Sequence, residues 1–253
     1  MRIDLNADVG ESFGAYAIGH DPELMKSITS ANVAAGFHAG DPTVLRATVR
    51  RAKSHGVAVG AHPSFPDLVG FGRREMTVTP REAEDLVLYQ IAAVAGVAHV
   101  EGVTLQHVKP HGALYNMAAH DAALAGAIAR AVAAFSHSLI LLGPPGSELL
   151  KAGRSAGLRV AGEVFADRAY EPDGSLVSRK KPGAVIHDVD AVVERTVRMA
   201  KEGTVVAIDG SIIQLAPETI CVHGDTPGAD ELAAKIRTAL EAAGIAVKSL
   251  GAA

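Results

Sequence analysis

Polar and ionisable side chains recur just beyond short apolar runs of this chain: Asn6 and Asp8, His38 and Asp41, His62 and Asp67, Lys109 and His111, Glu163 and Asp167, His223 and Asp225. These residue types do acid-base and electrostatic chemistry. Imidazoles and carboxylates move protons near neutral pH, and an ammonium stabilises charge developing on a carbonyl oxygen. Lys109, Pro110 and His111 set an ammonium and an imidazole two residues apart on a segment stiffened by proline. Taken singly, a strand-end histidine is as readily structural, and an aspartate before a helix as readily a cap. Recurrence at the same end of successive runs is what points to one polar site.

Glycine and proline flank the same residues in "GFHAGD", "GAHPSFPD", "VKPHGA" and "VHGDTPGA", which lets backbone approach a ligand and holds loops without ordering cost on binding. Two basic loops, "GFGRRE" and "RKKPGAVI", offer Arg73 and Arg179 to an anionic substrate, because a planar guanidinium matches a carboxylate in bidentate fashion. Asp8, His38, His62, His111 and His223 are metal-capable donors, yet no HExxH, HxH or CxxC pair occurs, so no metal is assigned. "GPPGSELL" lacks the lysine of a P-loop and reads as a helix start.

Such residues converge only if the elements beneath them share a direction. Short β-branched runs alternate with Ala-rich stretches of helical period, the order of repeated βα units around a parallel sheet. Strands are expected at 2–7, 30–35, 57–61, 104–108, 138–142, 159–163 and 219–222. Helical stripes run through Leu124, Ile128, Val132 and Phe135, through Val189, Val193 and Val197, and through Leu232, Ile236 and Leu240. Asp41-Pro42 and Thr79-Pro80 with Glu82 read as helix starts. "TVVAIDGSIIQL" reads as a hairpin around Asp209-Gly210 that interrupts the rhythm. Periodicity alone fits an open doubly wound sheet or a closed barrel, whereas polar groups at the ends of nearly all strands fit a barrel mouth.

With 253 residues, 48% hydrophobic, and no linker or low-complexity block, the expectation is one compact domain over 1–253. A formal charge of −4 with scattered Lys and Arg gives no basic field for nucleic acid. The single cysteine, Cys221, excludes an internal disulfide and reads as a small apolar strand residue. The opening "MRIDLNADVGE" is too acidic for a signal peptide; no membrane partner is expected, and the expected location is cytoplasmic.

The segments "DLNADVGESFG", "ANVAAGFHAGDP", "GAHPSFPDLVGFGRR", "VKPHGALYN", "EVFADRAYEPDGSLVSR" and "CVHGDTPGA" together resemble the LamB/YcsF family, A subunits of bacterial 5-oxoprolinase. The resemblance runs from Ile3 to about Ala242. It implies an α/β fold, a distorted seven-stranded β/α barrel similar to glycoside hydrolases and polysaccharide deacetylases, with the site at the carboxyl ends of the strands. It implies ATP-dependent opening of the lactam 5-oxo-L-proline to L-glutamate, with 5-oxoprolinase subunits B and C as partners. ATP, as its magnesium complex, would be held by this chain or by those partners. One departure is Ala35, where the family usually carries cysteine.

For that reaction Lys109 supplies the cation, and Asp8, Glu163 or His111 the base for water. Arg73 or Arg179 holds the substrate carboxylate, and Asn6, His38, His62, Asp167 and His223 complete the substrate site. Two other readings remain: a stand-alone metal-dependent hydrolase or deacetylase of a carbohydrate amide, and a non-catalytic binding protein.

Overall fold

A computed structural model describes residues 1–225 and 228–252. In chain order the elements are β1 (Arg2–Val9), α1 (Asp21–Leu24), β2 (Ser30–Ala34), α2 (Pro42–His55), β3 (Ala58–His62), α3 (Pro80–Val100), β4 (Leu105–Val108), α4 (Gly112–Ala118) and α5 (Ala122–Phe135). They continue with β5 (Ile140–Gly143), α6 (Glu148–Ser155), β6 (Arg159–Phe165), α7 (Val189–Glu202), β7 (Thr204–Val206), β8 (Ile212–Gln214), β9 (Thr219–Val222), α8 (Ala229–Ala242) and β10 (Ala246–Val247).

The strands β1, β2, β3, β4, β5, β6 and β9 run parallel in that order, and the ring closes where β1 pairs with β9, Asp4 to Ala7 against Thr219 to Val222. The fold is therefore the closed seven-stranded barrel, not the open sheet. β10 pairs with the start of β1 outside the ring, and β7 with β8 forms the antiparallel hairpin expected around Asp209-Gly210. The expected strands all occur, most with ends moved by a residue or two. The last motif, "CVHGDTPGA", includes Thr226 and Pro227, which lie outside the described residues.

Local chemistry sets the helix ends. The Asp41 side chain accepts from the amides of Thr43 and Val44 to start α2, and Gly56 ends it in the left-handed conformation. Thr79 and Glu82 form a reciprocal capping box at α3. By length and composition alone α3 is apolar enough to cross a bilayer, but its Ala83, Val87, Ile91, Val94 and Ala98 stripe is buried in the barrel wall. Each such large aliphatic residue contributes about 1.5–3 kcal/mol by leaving water.

Two helical readings need correction. In α7 the buried line is Val192, Thr196 and Met199, with Val189, Val193 and Val197 only flanking it, because the face touching the barrel is rotated from the valine row. In α5 Leu124, Ile128 and Val132 are buried, while Phe135 at the last turn overhangs the rim and is exposed.

The inside of the barrel is polar. Strand β1 sends Asp4, Asn6 and Asp8 to its interior and Ile3, Leu5 and Ala7 to the covering helices, as a period of two requires. At the base, Asp4 accepts from Ser30 Oγ at 2.6 Å, Thr219 Oγ1 at 2.5 Å and Thr29 Oγ1 at 2.8 Å. Above it, Asn32 Nδ2 donates to Asn6 Oδ1 at 2.7 Å, Asn6 Nδ2 donates to Thr219 Oγ1 at 2.7 Å, and His107 Nε2 donates to Asn32 Oδ1 at 2.8 Å. Burial holds the His107 imidazole neutral, its pKa lowered to about 3. These linked amides form the floor of the site.

Candidate active site

The next layer of the barrel carries the charges. Lys109, at the carboxyl end of β4 and 2% exposed, directs Nζ to Asp8 Oδ1 at 2.8 Å and Cys221 Sγ at 3.0 Å, and lies 3.0 Å from Glu163 Oε1. The ring of Phe165 lies 5.3 Å from the same ammonium. Burial alone would strip the proton from Lys109, but the charges of Asp8 and Glu163 hold it well above the usual lysine range. Asp8 shows the converse: burial would raise its carboxyl, while His62 and Lys109 keep it well below the usual range.

The two carboxylates beside Lys109 differ in their partners. Asp8 is occupied, taking Asn32 Nδ2 at 2.9 Å as well as Lys109, with His62 Nε2 at 3.3 Å from its second oxygen. Glu163 pairs through Oε1 with the Lys109 ammonium, and neither of its oxygens accepts a well-aligned hydrogen bond, although the residue is 1% exposed and faces the cavity. A buried carboxylate with free lone pairs is set up to take a proton from water or substrate.

The cavity over this layer has a volume of about 1260 Å³. Asp8, His62, Lys109, His111, Glu163 and His223 line its floor, and Arg73 and Arg179 line its mouth. Arg73 stacks on Phe71, 4.9 Å from the ring centre, and pairs with Asp225 at 2.7 Å. Burial lowers the pKa of the Arg179 guanidinium, and the nearby charge of Arg73 adds to that, so two like charges face the opening. Arg168 anchors the segment that carries Arg179, donating to the carbonyls of Val177 at 2.6 Å and Ala184 at 3.2 Å.

Three expected residues do not reach the cavity. Asn6 lies one layer lower and belongs to the floor network. His38 is fully buried behind His111, with the two rings stacked at 3.9 Å, and hydrogen bonds to Glu11 at 3.1 Å. Asp167 pairs with His223 Nδ1 at 2.8 Å, which orients that ring. His223 in turn stacks on Phe165, ring centres 5.3 Å apart.

Glu11, Asn32, Cys221 and Tyr115 belong to the site and were not expected there. Cys221 is the small buried strand residue read from the sequence, but its sulfur also accepts from Lys109. Burial, and then the neighbouring charge of Asp8, raises the Glu11 carboxyl well above the usual range. Asn32 was signalled by its place on an inward register, opposite Asp8. Glu11 and Tyr115 carry no comparable local signal.

Backbone geometry holds the upper rim. Phe71 adopts φ +55°, the only left-handed non-glycine among the described residues, and its carbonyl accepts from His111 Nε2 at 2.9 Å. At Gly112, φ +56°, a Cβ would meet the Gly72 carbonyl at 2.4 Å, so the two chain segments touch through bare backbone.

Other proteins resemble this chain in sequence and fold. The A subunit of 5-oxoprolinase from Thermococcus onnurineus is 57% identical over 251 residues, covering 99% of this chain and 98% of that protein. Its counterpart from Chloroflexus aggregans is also 57% identical, over 98% of this chain and 99% of its own length. The crystal structure of a lactam utilization protein from Thermus thermophilus superposes with a TM-score of 0.94 at 50% identity, covering 99% of this chain and all of that one. The T48 deacetylase, solved with substrate, shares the fold alone, at TM-score 0.51 and 13% identity over 97% of this chain and 86% of its own. The sequence model of one family spans residues 3–253, the whole barrel and every residue that lines its cavity, and on that match the chain belongs to the LamB/YcsF family.

Proposed function

We propose that this chain is the A subunit of an ATP-dependent 5-oxoprolinase and opens the lactam of 5-oxo-L-proline to L-glutamate, releasing ADP and phosphate. The observation that carries the reading is the buried Lys109 ammonium set 3.0 Å from a Glu163 carboxylate that accepts no hydrogen bond. Relatives named as the A subunit of 5-oxoprolinase, more than half identical along nearly their whole length, support it. A five-membered lactam is resonance-stabilised, so its carbonyl carbon needs activation before water adds.

In the proposed sequence the lactam oxygen takes the γ-phosphoryl group of ATP and ADP leaves. Lys109 balances the negative charge on that oxygen. Glu163 removes a proton as water forms a bond to the ring carbon. The C–N bond then breaks, the nitrogen takes a proton, and the resulting acyl phosphate is hydrolysed by a second water to glutamate and phosphate. Asp8, held ionised, keeps Lys109 charged and in place throughout. Arg73 and Arg179 bind the substrate carboxylate at the mouth.

The cavity is far larger than a five-membered lactam needs, and its wall adds Lys151, Lys180 and the backbone of the Pro144 to Gly146 turn to the two arginines. We therefore place the triphosphate of magnesium-bound ATP at this cationic mouth, completed by the B and C partner subunits. A cytoplasmic setting supplies ATP and keeps Cys221 reduced. The test mixes this protein with subunits B and C and follows glutamate and ADP from 5-oxoproline while each component is omitted in turn. Glutamate formation that requires all three proteins and ATP is expected. Unchanged turnover without this chain overturns the reading.

A further inference from the structure

Beside the Lys109 centre, three histidines and Glu11 bring one donor atom each within 4.8 Å of one another, all four residues buried. The hydrogen bonds fix which ring nitrogens carry protons. His62 Nδ1 faces the Lys109 carbonyl at 2.7 Å, and His111 Nε2 faces the Phe71 carbonyl at 2.9 Å. A carbonyl only accepts, so both nitrogens are N–H donors, and in the neutral rings His62 Nε2 and His111 Nδ1 are bare lone pairs. Those two lone pairs point at each other across 2.9 Å. Two acceptors at that distance repel; either one ring takes a second proton and donates to the other, or a metal ion beside them accepts both lone pairs.

The surroundings suit a cation. His62 Nε2 lies 3.3 Å from Asp8 Oδ2, and His111 Nδ1 lies 3.8 Å from Glu11 Oε1. Two ligands on bonds of about 2.1 Å stand roughly 3.0–3.4 Å apart when they are neighbours around one ion; the His62 to Asp8 and His62 to His111 spacings sit close to that value, and the 3.8 Å from His111 to Glu11 needs a closure of a few tenths of an ångström. Backbone carbonyls on the outer nitrogens of both rings are the usual support of ligating imidazoles. His38 lies parallel to His111 with their planes 7° apart, so both rings cannot aim in-plane lone pairs at one centre. His38 instead hydrogen bonds to Glu11 and holds its carboxyl in place.

We propose that His62, His111 and Glu11, with Asp8 at the side, bind one divalent first-row transition ion, with Zn²⁺ the reference probe. Mixed imidazole and carboxylate donors select such an ion over Ca²⁺ or Mg²⁺. His62 and His111 line the cavity, so one coordination position opens to whatever the cavity holds. The proposal stands on donor geometry and holds whichever lactam or amide the site accepts.

The test strips the full-length protein with chelator and titrates it with ZnCl₂ by calorimetry, with metal content read by mass spectrometry. One ion per chain is expected at micromolar or tighter affinity. His111→Gln and Glu11→Gln are each expected to weaken binding at least about 10-fold, the lower bound seen for loss of supporting groups alone. Circular dichroism checks that the variants fold. If either unfolds, ¹⁵N spectra of the parent protein decide, since His62 Nε2 and His111 Nδ1 must shift on Zn²⁺ addition. No uptake by the parent, uptake unchanged in a folded His111→Gln, or an imidazolium signal shared by the two rings and indifferent to Zn²⁺ overturns the proposal.

Discussion

Replacing Lys109 by Met removes the ammonium and keeps the stem, which isolates what the charge does. Asp8 and Glu163 then share a buried layer without their cation, and losing one partner of a buried ion pair costs about 3–5 kcal/mol. For a chain of this size that is roughly 6–20 °C of melting temperature. The pH dependence must also change. In the parent the Asp8 pKa is depressed, so its contribution is fully present above the unfolded carboxylate value near 4 and is lost only as pH falls through the lower folded value. Stability should therefore be flat between about pH 5 and 7. In Lys109→Met the ammonium no longer opposes burial and His62 is left to hold the Asp8 carboxyl down, so that carboxyl takes up its proton at a higher pH than in the parent and the flat region should end sooner as pH falls. Calorimetric melting of both proteins across that range measures the effect. A melting temperature within about 2 °C of the parent and equally flat with pH would refute the account of Lys109 as the charge that makes this layer tolerable.

Three further outcomes are expected. Glu163→Gln should lower kcat for lactam opening by about 10²–10⁴-fold with KM nearly unchanged, and should also lower the melting temperature because it breaks the buried 3.0 Å ion pair with Lys109; steady-state kinetics with the B and C subunits and calorimetric melting check this. Arg73→Ala and Arg179→Ala should each raise KM for the anionic substrate while leaving kcat within a few-fold, and added salt should shrink the difference between parent and variants. Gly112→Ala puts a Cβ 2.4 Å from the Gly72 carbonyl at positive φ and should destabilise by more than about 1–2 kcal/mol in urea, with glutamate production lost as the Arg73 loop moves.

The barrel was legible because its strands announce themselves twice, as apolar runs and by the groups that follow them. Asp8, Lys109 and Glu163 could be picked out since each closes a strand, and parallel strands bring their ends together whatever lies between. Depth was not legible. Asn6 and Asp8 are two residues apart and point the same way, yet the two-residue rise of the strand puts Asn6 in the floor and Asp8 in the cavity. His38 and His62 look alike in sequence, and only the loop path behind β2 hides the first against His111. Glu11 was missed because it follows its strand by two residues, on a turn whose direction no periodicity encodes. The valine row of α7 misled because helix rotation is set by the fit against the barrel and not by composition.

Closure of the ring by β1 on β9 constrains biosynthesis. The amino-terminal strand, made first, has an unsatisfied edge until residues 219–222 have been synthesised, and β10 seals its far end only after residue 246. A nascent chain on the ribosome thus holds Asp8 and its Lys109 partner in an open sheet until β9 has been made, and the ring around them closes only then.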